Sequence, residues 1–188
     1  MPRPAGVLSV QGDFEKHVSA VARAGGEAVE VRTVEDLERV DRLIIPGGES
    51  TTVGLLLERY GLGKEIQRRA EEGMPVWGTC MGMILMAREV EGRAGQYTLD
   101  LLDITVRRNA FGTQVHSFED EVRLSGLDRP LMAVFIRAPI VTKLGEDVDP
   151  LAEYRGSVVA VRSGKLMGTS FHPELTDDSR LHELFLKI

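Results

Sequence analysis

Four short apolar runs in the first half of the chain, each closed by a turn and followed by helical spacing, constrain the fold most. Residues 6–10 end at Gln11-Gly12, residues 28–31 follow, residues 43–45 break at Pro46-Gly47-Gly48, and residues 75–77 form the fourth run. Such short, near-continuous apolar stretches read as strands buried on both faces. Between the first two, Asp13 is placed to cap a helix that carries Val18, Val21 and Ala22 and stops at Gly25-Gly26. Thr33-Val34-Glu35-Asp36 opens a short helix in a capping-box pattern, with Asp36 in place of Glu or Gln. Glu49, Ser50 and Thr51 offer caps for a helix bearing Val53, Leu55, Leu56 and Leu57, and a further helix is expected over 62–71. This β-α-β-α-β rhythm predicts a mostly parallel central sheet with helices on both faces, a three-layer, flavodoxin-like α/β fold.

The second half changes character. Strands are expected over 101–106, 115–118, 121–124, 132–136, 140–144, 158–162 and 166–171, with Ser163-Gly164-Lys165 as a hairpin turn between the last two. A helix is expected over 81–90 and a terminal one over 181–187. The parallel half thus grades into an antiparallel extension with no evident linker, and 188 residues suit one domain, 1–188.

The formal net charge of -6 argues against a nucleic-acid partner. No apolar run approaches the roughly 20 residues of a membrane span. The start, Met1-Pro2-Arg3-Pro4, lacks the apolar segment of a signal peptide, so a cytoplasmic protein is expected.

The chemistry points to Gly78-Thr79-Cys80-Met81-Gly82, between the fourth strand and an apolar helix. Cys80 is the only cysteine. A sharp strand-to-helix turn strains its central residue and crowds its neighbours, and Gly78 and Gly82 remove the side chains that would clash. A cysteine there sits at a helix N-terminus, where the dipole favours a thiolate. Its partner is expected in Ser170-Phe171-His172-Pro173-Glu174. Pro173 biases His172 toward an extended backbone, in which residues two apart point the same way. Glu174 can then orient His172 toward the thiol, giving a nucleophile, a base and an orienter. His17 and His182 read as helix-surface residues, and His116 as part of an irregular or strand segment.

A second constellation is the Gly47-Gly48-Glu49 turn, whose backbone N–H groups could hold an anion or an oxyanion. It lacks the lysine of a phosphate loop, and neither a cofactor nor a metal is expected. Arg108 and Arg137 stand at loop edges where a guanidinium could clamp a carboxylate.

Taken together, Pro46-Gly47-Gly48-Glu49-Ser50-Thr51-Thr52, Gly78-Thr79-Cys80-Met81-Gly82, Arg108-Asn109-Ala110-Phe111-Gly112, Phe135-Ile136-Arg137-Ala138-Pro139 and Phe171-His172-Pro173-Glu174-Leu175-Thr176 resemble the glutaminase subunits of pyridoxal 5′-phosphate synthase, which are class I, triad-type glutamine amidotransferases. The resemblance runs over nearly the whole chain. It implies Cys80 as nucleophile, His172 as general base and acid, and Glu174 as orienter. It further implies Gly47, Gly48, Glu49, Arg108, Ile136 and Arg137 at the glutamine site, with the N–H groups of Gly48 and Met81 as oxyanion donors. The implied product is ammonia, passed to a (β/α)8-barrel synthase subunit in a large ring-shaped hetero-oligomer, with the glutaminase weak or silent until docked.

Three residues depart from the family pattern: Met81 where a small residue is usual, Asp100 where Gly is common, and His116 where Asp is common. Two other readings share the architecture: a cysteine hydrolase or peptidase, and a non-catalytic redox-sensing module built on Cys80.

Overall fold

A computed structural model describes residues 3–111 and 117–188. Gly112, His116 and the first half of the strand expected over 115–118 lie outside the described residues.

The first-half strands are β1 (Ala5–Leu8), β2 (Ala28–Val31), β3 (Arg42–Ile45) and β4 (Val76–Thr79). The second half supplies β5 (Ala87–Val90), β6 (Leu102–Arg107), β7 (Ser117–Val122), β8 (Leu131–Ile136), β9 (Ile140–Leu144), β10 (Asp149–Tyr154), β11 (Ser157–Ser163) and β12 (Leu166–Thr169). The main sheet runs β2-β1-β3-β4-β12-β11-β9-β6-β5, with β10 paired to β11, while β7 and β8 form a separate antiparallel pair. The strands β2, β1, β3, β4 and β12 are mutually parallel; β11 and β9 turn the sheet antiparallel. The expected parallel sheet with an antiparallel extension is therefore present, and the Gly164 turn joins β11 to β12 as expected.

Side chains alternate across the parallel strands into two cores. Leu8, Leu43, Ile45 and Val76 face one side, packed by α2 (Val34–Leu37), α3 (Ser50–Arg59), α4 (Leu62–Glu71) and α5 (Met81–Met86). Val7, Ile44 and Trp77 face the other, packed by α1 (Phe14–Arg23), α6 (Arg180–Leu186) and Phe135 of β8. Helix α2 opens on the reciprocal capping box read from sequence: the Asp36 N–H donates to Thr33 Oγ1 and the Thr33 N–H to Asp36 Oδ2. Asp13 stands before α1, but its side chain makes no cap bond.

Two segments differ from expectation. The helix expected over 81–90 stops at Met86; Ala87 turns extended, and 87–90 becomes β5, paired with β6. The cause is local. The Leu99 and Leu101 N–H groups donate to the Leu85 and Met86 carbonyls (2.6 and 2.9 Å), taking acceptors that continuation of the helix would use. The described part of the segment expected over 115–118 and the first two residues of that expected over 121–124 share one strand, β7, and β10 has no counterpart among the expected strands. Between Leu99 and Leu101, Asp100 holds a left-handed backbone with φ 45. Glycine takes this conformation without a Cβ penalty, whereas Asp100 takes it at a cost.

Gly82 fixes how closely α5 approaches β3: a Cβ on Gly82 would fall 2.0 Å from the Ile45 carbonyl oxygen. Gly82→Ala is expected to cost about 3 kcal/mol through overpacking against backbone. Leu55→Ala, on the exposed face of α3, should stay within about 0.5 kcal/mol of wild type. Urea unfolding of the two variants checks both.

Candidate active site

The four adjacent parallel strands β1, β3, β4 and β12 end on the same edge of the sheet, and each is followed by a piece of the site. This is the edge at which open α/β sheets bind ligands. Gln11 and Gly12 follow β1, Gly47 to Glu49 follow β3, Cys80 follows β4, and His172 and Glu174 follow β12.

Cys80 occupies the elbow between β4 and α5 with φ 50 and ψ -105, a conformation that costs energy for a side-chain-bearing residue. Its surroundings enforce it. The Cys80 N–H donates to the Thr169 carbonyl of β12 at 2.7 Å. A Cβ on Gly78 would fall 2.4 Å from the Gly82 carbonyl carbon, so strand and helix touch through glycine backbone. Cys80 is 9 % exposed, and its Sγ lies 3.7 Å from the Ile136 carbonyl oxygen.

His172 leaves β12 with its N–H bonded to the Val134 carbonyl of β8 (2.8 Å). Its backbone is near-extended, as a following proline favours, but Pro173–Leu175 then forms a 3₁₀ turn. The turn, and not the extended segment expected from sequence, brings Glu174 Oε1 to 2.7 Å from His172 Nδ1. That bond leaves Nε2 for Cys80. The far edge of the ring rests on Gly47, where a Cβ would fall 2.5 Å from His172 Cε1. Burial pulls the His172 pKa down, but hydrogen bonds and charge from Cys80 and Glu174 outweigh it and raise the group to about 10. Burial likewise pushes Glu174 up, and His17 and His172 hold it below the usual carboxylate range.

The Gly47-Gly48-Glu49 turn is held from two sides. The Glu49 N–H donates to Gln11 Oε1 at 3.1 Å, and Gly12 lies so close that a Cβ there would meet the Gly47 carbonyl oxygen at 1.8 Å. Glu49 caps α3 by accepting from the Thr51 and Thr52 N–H groups (3.2 and 2.8 Å) and the Thr52 hydroxyl (3.0 Å). Partial burial pushes its pKa up, yet these donors lower it to about 2, so Glu49 is a carboxylate throughout the neutral range. Arg108 Nη2 stands 3.5 Å from Glu49 Oε1. The Met81 side chain reaches under the turn, 3.2 Å from where a Gly48 Cβ would be. Among the described residues, neither the Gly48 nor the Met81 N–H has a protein acceptor.

These pieces line one cleft of about 360 Å³. Gly47, Gly48, Glu49, Cys80, Met81, Arg108, Ile136, Arg137 and His172 all border it, and Glu174 stands behind His172. Asn109 and Arg137 on its wall are both left-handed, with φ 48 and 45. Asp13, Ser50 and Asn109 line it without having been singled out from sequence.

His17 and His182 contradict the surface reading: both are fully buried. His17 Nε2 lies 3.3 Å from Glu174 Oε2 and 3.2 Å from Thr79 Oγ1, and His17 Nδ1 lies 3.1 Å from His182 Nε2. The signal was in the helix period. His17 shares the apolar stripe of Ala20 and Val21 on α1, and His182 that of Leu181 and Phe185 on α6. Gln11 was legible only as the end of a strand.

Known proteins share the sequence and the fold of this chain over nearly its whole length. Residues 7–188 match the model of the SNO glutamine amidotransferase family. The pyridoxal 5′-phosphate synthase subunit PdxT of Herpetosiphon aurantiacus is 56 % identical over 185 residues, covering 96 % of this chain and 97 % of the relative. The subunit of the same name from Roseiflexus sp. strain RS-1 is 53 % identical over 184 residues, with the same coverages. A solved structure described as a glutamine amidotransferase superposes with a TM-score of 0.94 at 49 % identity, covering 97 % of each chain. With its fold and its sequence in agreement over nearly its whole length, this chain belongs to the SNO glutamine amidotransferase family.

Proposed function

We propose that this chain, acting as one amidotransferase domain, hydrolyses L-glutamine to L-glutamate and ammonia on Cys80, His172 and Glu174, and supplies the ammonia for pyridoxal 5′-phosphate (vitamin B6) synthesis. The observation that supports this best is the cleft itself. It joins a strained cysteine, a carboxylate-backed histidine and a wall of Glu49, Arg108 and Arg137 that matches both charges of a free amino acid. Arg108 and Arg137 would take the α-carboxylate and Glu49 the α-ammonium, with the Ile136 backbone bordering the side chain of the substrate.

The chemistry then runs in two steps. The Cys80 thiolate attacks the side-chain amide carbon; the new S–C bond moves the carbonyl electrons onto oxygen, where the Gly48 and Met81 N–H groups receive the charge. Collapse breaks the C–N bond as His172, held protonated by Cys80 and Glu174, gives its proton to the departing ammonia. Once the thiolate is consumed, the feature that most raised His172 is gone, and the neutral ring can take a proton from water. The hydroxide adds to the thioester, the C–S bond breaks, and glutamate leaves.

The relatives' printed names make them subunits of a synthase, so a synthase subunit is the proposed consumer of the ammonia. We take it to be a (β/α)8-barrel protein that docks with this chain in a ring-shaped complex in the cytoplasm. Among the described residues no helix is long and apolar enough to cross a membrane. The wall of Glu49, Arg108 and Arg137 favours glutamine over a peptide or acyl ester, because only a free amino acid brings both an α-ammonium and an α-carboxylate to meet it.

Glutamate release in the presence of the synthase subunit tests the reading. Cys80→Ala should abolish it, and Glu174→Gln should lower kcat by about 10²–10⁴ through loss of ring orientation. Unchanged turnover in either variant overturns the assignment. The raised His172 pKa predicts a pH profile for glutamine hydrolysis that holds through pH 7–9 and falls as His172 loses its proton near 10. Gln11→Ala should raise the glutamine KM, because it frees the Glu49 N–H and loosens the turn, while leaving the fold's thermal transition nearly unchanged.

A further inference from the structure

Glu174 has two carboxylate oxygens, and the proposed mechanism uses one. Oε1 accepts from His172 Nδ1 at 2.7 Å. Oε2 is buried, and among the described residues its nearest polar partner is His17 Nε2, 3.3 Å away and off-axis. The same nitrogen stands 3.2 Å from Thr79 Oγ1, on the residue that precedes Cys80 in the elbow. His17 therefore contacts both the carboxylate behind the base and the strand end that carries the nucleophile.

The proton positions follow from the partners. A buried carboxylate oxygen calls for a donor nearby, which puts the His17 proton on Nε2, bonded to Thr79 Oγ1 at 3.2 Å and 3.3 Å from Glu174 Oε2. His17 Nδ1 is then an acceptor and receives the Nε2–H of His182 at 3.1 Å. His182 Nδ1, without a hydrogen-bond partner among the described residues, sits with its ring against Trp77 at 4.9 Å.

We propose that His17 is a positioning residue of this active site: a neutral N–H donor from α1 that fixes the second oxygen of Glu174 and, through it, the orientation and tautomer of His172. The titratable and charged groups around the pair are few. Glu174 faces His172 and His17; His17 faces His182 from α6, with Asp13 at the start of α1; His182 faces Arg23. Burial dominates at both accessory histidines, lowering His17 below its ordinary value and His182 to about 3. Burial thus favours neutral rings, so His17 presents Glu174 Oε2 with a close N–H dipole, 3.3 Å away, and not a second full charge competing with His172.

The inference rests on the glutaminase reading, and its test keeps the two apart. In the complex with the synthase subunit, His17→Leu should lower kcat for glutamine by about 10- to 100-fold, the usual cost of losing a group that orients a functional side chain. KM should change less than about 2-fold, because His17 does not border the cleft. Removing the donor raises the Glu174 pKa, so the acid limb of kcat should move up by about one pH unit. His17→Gln, whose amide can place an N–H near Oε2, should recover most of the rate and return the acid limb. A folded His17→Leu variant with wild-type kcat and acid limb overturns the proposal, as does a His17→Gln variant no better than Leu. Should His17→Leu fail to fold, ¹⁵N-histidine NMR of the wild-type protein decides. A neutral His17 protonated on Nε2 at pH 8 is expected; a proton on Nδ1, or an imidazolium, overturns it. Wild-type protein that releases no glutamate would instead sink the glutaminase reading and leave the NMR result to stand alone.

Discussion

The backbone of Cys80 is the constraint on which the rest of the site depends. At φ 50 and ψ -105 it lies where a cysteine does not rest unaided. Three contacts over-determine it: the 2.7 Å bond from its N–H to Thr169, the Gly78–Gly82 backbone approach, and the seating of Gly82 on the Ile45 carbonyl. Each belongs to a different neighbour of β4 or to β4 itself. The parallel packing of β3, β4 and β12 thus does two things together. It holds the elbow, and it delivers the Gly47 turn and His172 to either side of the thiol. A fold in which those strands were not adjacent would need separate devices for both.

Burial sets the electrostatics of the site. Four titratable groups, His172, Glu174, His17 and His182, lie in contact and nearly out of solvent. A row of charged groups there would be costly. The arrangement limits the charge: one carboxylate, one histidine whose proton is stabilised from both sides, and two histidines held neutral by burial. Glu49 is handled in the opposite way. It sits at the open edge of the cleft and is kept ionised by the N–H groups at the start of α3, which also lock the turn that precedes it.

Much of this was legible in the sequence because the signals were local. The apolar runs that became β1 to β4, the Thr33 capping box and the Gly-x-Cys-x-Gly elbow each carry their reason within a few residues. What was not legible depended on partners distant in sequence. Nothing near Met86 announces that the 99–101 backbone will take the last carbonyls of α5 and turn its expected continuation into a strand. His17 and His182 are 165 residues apart, and their meeting under Glu174 follows only once α1 and α6 pack on the same sheet face. The His172–Glu174 pairing was anticipated with the right partners and the wrong backbone, because a 3₁₀ turn and an extended strand can both bring residues two apart together here.

The most direct measurement of the central claim is to quench turnover of ¹⁴C-glutamine by the complex in acid and map the protein-bound label. The account predicts a glutamyl group on the peptide carrying Cys80, absent from the Cys80→Ala variant. Glutamate release with no label on that peptide, or label on another residue, would contradict it.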